Sequence, residues 1–218
     1  RGRVAGAQVQ IDLTTLAAWD RSSYGPELAQ SRAWIETQFS GLGLAVSAPA
    51  FTMPGSAGGQ ISVNNVIGTW NGSRFPDQWI VVGGHYDSRN SSLSSIVNTP
   101  GAEDNASGCA GVIELARALV AVEPERSILF MCYAGEEQGL YGSKAHVQAL
   151  QVSGDLAKVR AVITMDMIGY SADTHLDALF ESSATWSAYL DQFAAAAATY
   201  VPDLHVTLST NPFGSDHI

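Results

Sequence analysis

Apolar residues along the chain fall into two patterns, short uninterrupted runs and stripes that recur every three or four positions. Leu13, Leu16 and Ala17 have helical spacing until Gly25-Pro26 breaks it. A second stripe of Leu28, Ala29, Ala33, Trp34, Ile35 and Phe39 stops at Gly41. Residues 47–60, rich in Gly, Ser and Pro, read as a loop, and Ser62–Trp70 as a strand. Trp79–Gly83 is a buried strand, followed by a polar loop, Arg89–Glu103. Val112, Ile113, Leu115, Ala116 and Leu119 then mark an amphipathic helix. Ile128–Tyr133 is apolar throughout and too short for a helix, so it reads as a core strand. Leu140–Leu150 continues as a helix, Ala161–Met165 as a strand and Asp177–Glu181 as another. An alanine-rich helix spans Ala184–Tyr200, and His205–Ile218 begins strand-like and ends as a loop. Strands alternating with helices predict an α/β fold, a mixed and mostly parallel sheet sandwiched between α-helices.

Composition narrows the picture. The 218 residues suit one domain, 1–218, and 46% hydrophobic against 15% charged residues describes a chain with a large core. With 11 Lys+Arg against 21 Asp+Glu the net charge is -10, which excludes a nucleic-acid partner because phosphates demand a basic face. No apolar run is long enough to span a bilayer. The chain starts at Arg1 with neither methionine nor signal segment, as expected of a processed protein or an excised domain. Cys109 and Cys132 are too few for a disulfide scaffold, and their apolar surroundings favour buried free thiols. Asn71-Gly72-Ser73 and Asn90-Ser91-Ser92 match a glycosylation sequon that is common by chance.

The candidate chemistry sits where the apolar runs end. The strand at 128–133 is followed at once by Ala134-Gly135 and the pair Glu136-Glu137. The strand at 79–83 runs into His85 and Asp87, and the one at 161–165 into Asp166, while Asp104 lies where the polar loop enters a helix. Singly, each has an ordinary explanation as helix cap, dipole partner or turn residue. Together they would repel strongly at one sheet edge unless cations held them. That chemistry suits a two-metal hydrolase, with a shared carboxylate between ions about 3.5–4 Å apart. A neighbouring carboxylate that is not a ligand would move protons. On the residues alone, one of the two glutamates is a ligand and the other the base, in either order. His85 with Asp87 fits a carboxylate that orients an imidazole ligand.

The segments VVGGHYDS (81–88), PGAEDNASG (100–108), AGEEQGLYGS (134–143) and MDMIGY (165–170), with the N-terminal helix pattern and the NPFGSDH end, resemble the zinc aminopeptidases of the M28 peptidase family. The chain is similar to its secreted bacterial leucyl aminopeptidases over nearly its whole length. The resemblance implies the zinc-exopeptidase, phosphorylase/hydrolase-like fold and removal of N-terminal, apolar residues from peptides by metal-activated water. It implies His85 and Asp166 on one zinc, Glu137 on the other, Asp104 bridging both, Glu136 as general base and Asp87 orienting His85. A secreted or periplasmic, monomeric enzyme is expected. The family's further C-terminal histidine ligand does not appear before Ser215-Asp216-His217-Ile218. The expectation is therefore a domain truncated at its C-terminus with an incomplete second zinc site, Asp216 and His217 lying beside the substrate pocket. A carboxypeptidase, a single-zinc glutaminyl cyclase and a non-catalytic binding domain on the same fold are the alternatives.

Overall fold

A computed structural model describes residues 3–172 and 174–217. In chain order the elements are α1 (Gly6–Leu16), α2 (Leu28–Gly41), β1 (Ala45–Ser47), β2 (Ala50–Pro54), β3 (Gln60–Asn64), β4 (Val66–Trp70) and β5 (Phe75–His85). A wide helical turn (Ala102–Ser107) leads into α3 (Gly108–Leu119), followed by β6 (Arg126–Tyr133), α4 (Tyr141–Ser153) and β7 (Val159–Thr164). The remainder is β8 (Leu176–Glu181), α5 (Ser187–Tyr200) and β9 (Leu204–Ser209).

The main sheet has the order β1-β4-β6-β5-β7. β5 runs parallel to both β6 and β7, whereas β4 is antiparallel to β6 and β1 antiparallel to β4. Four of the five strands therefore point one way and only β4 opposes them, the mixed, mostly parallel sheet that the pattern predicts. Because side chains alternate across a strand, the apolar runs of β5 and β6 supply two cores. Val82, Phe130 and Cys132 face one side, where they meet Leu16, Ile35, Phe39, Val112 and Ile113 from the first three helices. Val81, Leu129, Met131 and Tyr133 face the other with Ile67. A residue run with no polar position is what a strand covered on both faces requires.

Two expectations change. The Gly/Ser/Pro-rich stretch is not a plain loop: β2 and β3 pair as an antiparallel hairpin, with Met53 opposite Ile61 and Phe51 opposite Val63. Its turn uses Gly58 and Gly59 at positive φ, a conformation glycine adopts without a Cβ penalty, and the turn glycines hid the alternating apolar residues around them. The expected strand at 62–70 is two strands, because Asn65 leaves the ladder. Its main-chain N–H donates to Pro49 O, its side-chain amide donates to Gly142 O, and Ala134 N donates to its Oδ1.

β8 and β9 form a separate two-stranded parallel sheet linked through α5. Among the described residues no helix is long and apolar enough to cross a membrane. The parallel direction of β5, β6 and β7 is what matters for function. It delivers His85, the Glu136-Glu137 pair and Asp166 to the same edge of the sheet, where open α/β sheets bind ligands.

Candidate functional site

His85 is the last residue of β5 and fully buried, with its ring fixed from behind. Nδ1 lies 3.0 Å from the main-chain oxygen of Asp87, closer than the Asp87 carboxylate at 3.5 Å. This leaves Nε2 facing forward, where Asp104 Oδ1 is 3.2 Å away, Asp166 Oδ1 3.6 Å and Glu136 Oε2 3.8 Å. Neither His85 Nε2 nor Asp166 Oδ1, both buried, makes a hydrogen bond to a described residue. Ligand atoms of His85, Glu136 and Asp166 all lie within 4.8 Å of one another. One imidazole nitrogen surrounded by carboxylate oxygens is a donor set that suits zinc.

The four expected metal-ligating positions are not equally gathered. His85, Asp104 and Asp166 converge, and Glu136, expected as the base, stands with them. Glu137 turns aside: its Oε2 accepts a bond from Arg89 Nε, while its buried Oε1 has no hydrogen bond to a described residue. The Asp87 carboxylate, fully buried, accepts the main-chain N–H of Glu136 at 3.2 Å, that of Glu137 at 3.3 Å and the Ser23 hydroxyl at 3.0 Å. It thereby ties the end of β5 to the turn after β6, a larger structural task than orienting the histidine. At the C-terminal end, the Ser215 hydroxyl donates to Asp166 Oδ2 at 2.6 Å, and Asp216 is buried close by.

Crowded carboxylates out of water shift their proton affinities. Burial pushes Glu136 up to about 8; Asp216, Asp87 and Glu137 add to the rise and His85 offsets part of it. Glu137 is raised to about 7, again chiefly by burial, and Asp216 to about 6. Burial works against the charged imidazole of His85, but Asp104, Asp166 and Asp87 outweigh it and hold the ring well above its ordinary range.

Two supporting residues escaped the reading of the sequence. Arg21 is fully buried and, among the described residues, donates only to main-chain carbonyls: Nε to Tyr86, Nη1 to Leu16 and Pro100, and Nη2 to Gly101. It clamps the end of β5 to the loop that carries Asp104, and desolvation pushes its pKa down to about 10. Asn105 joins the other side. Its Nδ2 donates to Met165 O, and its Oδ1 accepts from Gly108 N and Met167 N, so one amide braces both residues that flank Asp166. An arginine in a Ser-rich loop carries no motif signal, whereas Asn105 stood in plain view within the DNASG segment. Beside the acids, a cavity of about 440 Å³ is lined by Arg89, Leu93, Glu136, Glu137, Leu140 and Gly214.

A parallel-strand edge that gathers one histidine and several carboxylates has the place and the donor set of an α/β metal site. The Peptidase family M28 profile matches residues 65–218, and the chain belongs to that family. Among curated relatives, a probable zinc metalloprotease of Pyricularia oryzae is 35% identical over 153 residues, covering 66% of this chain and 30% of its own length. One of Pyrenophora teres f. teres is 40% identical over 112 residues, covering 51% of this chain and 24% of its own length. The chain thus spans about a quarter to a third of these relatives. Solved structures share the fold. The LapA aminopeptidase of Legionella pneumophila gives a TM-score of 0.76 at 24% identity, covering 98% of this chain and 56% of that one. An aminopeptidase from Aneurinibacillus gives 0.79 at 16%, covering 99% and 82%. An Acidobacteriales bacterium glutaminyl cyclase gives 0.79 at 24%, covering all of this chain and 75% of that one.

Proposed function

We propose that the chain carries the catalytic centre of a zinc-dependent aminopeptidase that removes N-terminal, apolar residues from peptides. The observation behind this reading is the buried Nε2 of His85, without a hydrogen bond among the described residues and faced by three carboxylates at 3.2–3.8 Å. A buried imidazole nitrogen among three carboxylates demands a positive charge at that point, carried by the ring itself or by a bound cation, and a metal ion would offset the repulsion among the acids more fully than one proton. His85, Asp104 and Asp166 would hold one zinc. Glu137, through the Oε1 that has no hydrogen bond among the described residues, would help to hold a second together with Asp104. Zinc bound there would supply Lewis acidity toward the scissile carbonyl and the attacking water.

The chain's own groups do the rest. Glu136 takes a proton from water at its carboxylate and returns it to the leaving amine. Burial lifts the Glu136 affinity to about 8 in the metal-free site, and a cation bound beside it would bring that down and free the carboxylate to act as a base. Asp87 fixes the Glu136 and Glu137 amides, and so aims the base. The cavity beside Glu136, with Leu93 and Leu140 on its wall, would receive the side chain of the terminal residue. In this reading the protein acts outside the cytoplasm, as a monomer, on the N-termini of peptides.

The test is Glu136→Gln in the zinc-loaded protein, measured by hydrolysis of a leucine anilide and by metal analysis. A loss of about 100-fold or more with zinc retained supports the base assignment. Undiminished hydrolysis would remove it. A cyclase shares the fold as closely as the aminopeptidases do, so an N-terminal glutaminyl peptide belongs in the same assay. Ring closure without cleavage would replace the hydrolase reading, and inertness toward both substrates with zinc bound would make the chain a binding domain.

A further inference from the structure

We propose that Cys109 and Cys132 form an intramolecular disulfide that staples the Asp104 turn to the strand that carries Glu136. Cys109 is the second residue of α3, directly after the turn that holds Asp104, and Cys132 is the penultimate residue of β6. Both side chains are fully buried free thiols, and their Sγ atoms lie 2.7 Å apart. That separation is inside ordinary sulfur–sulfur contact and about 0.6 Å from the bond length near 2.05 Å.

The backbone explains the closeness independently of the sulfurs. Cys132 is the register partner of Gly84 on the adjacent strand β5. A Cβ placed on Gly84 would lie 3.3 Å from the carbonyl carbon of Gly108, the first residue of α3. A Cβ on Gly108 itself would come within 2.3 Å of Met165 O. Two glycines therefore let the start of α3 settle onto the strand ends, and the next residue along the helix meets the sheet at Cys132. The approach that brings Asp104 to His85 is the one that brings the sulfurs together.

The chemistry needs a disulfide donor, either a small-molecule disulfide or a dithiol–disulfide oxidoreductase of an oxidising compartment. One cysteine thiolate attacks a donor sulfur, forming a mixed disulfide and releasing one donor thiol. The second cysteine thiolate attacks the protein sulfur of that mixed disulfide and releases the other. Two electrons and two protons pass from the protein thiols to the donor. Neither sulfur is reachable from solvent in the folded core, and burial, reinforced by Cys109, holds the Cys132 thiol well above its ordinary range. The bond therefore forms while the chain folds and is shielded afterwards, which makes it a structural staple and not a switch.

The experiment refolds the full chain from the reduced, denatured state in a glutathione redox buffer and, in parallel, with excess phosphine reductant. Free thiols are counted in denaturant, and intact mass and Tm are recorded. The expected result is no free thiol, a mass lower by two hydrogens, no dimer on a non-reducing gel, and a Tm about 5 °C or more above the reduced sample. The Cys109→Ala/Cys132→Ala double variant should match the reduced sample and no longer respond to the redox buffer. Two free thiols in folded protein from the oxidising buffer, or bonding only between chains, would overturn the proposal. The count is made on the unaltered sequence, so it decides even where a variant fails to fold.

Discussion

In the main sheet β6 buries every residue from Ser127 to Tyr133, whereas β8 and β9 leave Leu176, Leu179 and Leu208 at 58%, 49% and 42% exposure. Both regions are strand–helix–strand architecture written in apolar residues, yet only one closes around a core. Between β5 and β6 runs α3, whose stripe of Val112, Ile113 and Ala116 is fully covered. Between β8 and β9 runs α5, which among its residues buries only Leu190 and Ala197 and leaves Tyr189, Phe193 and Tyr200 in the open. His85, Asp104 and the glutamate pair all hang from the closed region, and Asp166 stands at its edge. The open region lies just upstream of the segment whose Ser215 reaches back to Asp166.

That contrast can be broken first by core truncation. Phe130→Ala, removing a fully buried ring that packs against Phe39, should cost about 3–5 kcal/mol in denaturant unfolding. The same truncation at Phe193, which is partly exposed against Phe180, should cost well under half of that. Equal losses would mean the two regions are one cooperative core. Next comes Arg21→Met, which abandons the carbonyls of Leu16, Tyr86, Pro100 and Gly101 in the interior. A loss of about 3 kcal/mol, accompanied by weaker zinc retention in equilibrium dialysis, is expected. Stability lost without any change in zinc retention would reduce Arg21 to a purely structural residue.

A smaller effect separates the regions by pH. Glu136, Glu137 and Asp216 all have raised affinities in the fold, and so does His85. Groups of this kind bind protons more tightly when folded, so their contribution is present below their unfolded values and lost as pH rises through the folded ones. Chelator-stripped protein should thus lose a few degrees of Tm between about pH 5 and pH 8. Loading with zinc should flatten or reverse the trend. A Tm of stripped protein that climbs across this window would contradict the arrangement of acids. The least effect is expected from Leu179→Ser in the open region, within about 0.5 kcal/mol of the parent.

The site was far more legible than its supports. Apolar runs that stop at His85, Glu136 and Asp166 declare strand ends, and parallel strands place those ends at one edge by geometry alone. The turn toward Arg89 that Glu137 makes is a tertiary pairing between residues 48 apart in the chain, which no local pattern records. Arg21 was silent for a related reason: its partners are main-chain carbonyls, and every residue has one. The β2–β3 hairpin was obscured by composition, since the glycines that make its turn possible also mimic an unstructured loop.

Asn105 deserves a different description from the one its hydrogen bonds suggest. It behaves as a spacer: one short amide, touching Met165, Met167 and Gly108, ties the residue after Asp104 to both neighbours of Asp166. Aspartate there would keep the shape and lose the donor to Met165, and the two loops would drift. Under the zinc reading proposed above, the geometry of the two acids therefore depends on a neighbour that is itself no ligand. A protein engineer wishing to alter the zinc affinity proposed for this cleft without touching an acid would begin at position 105.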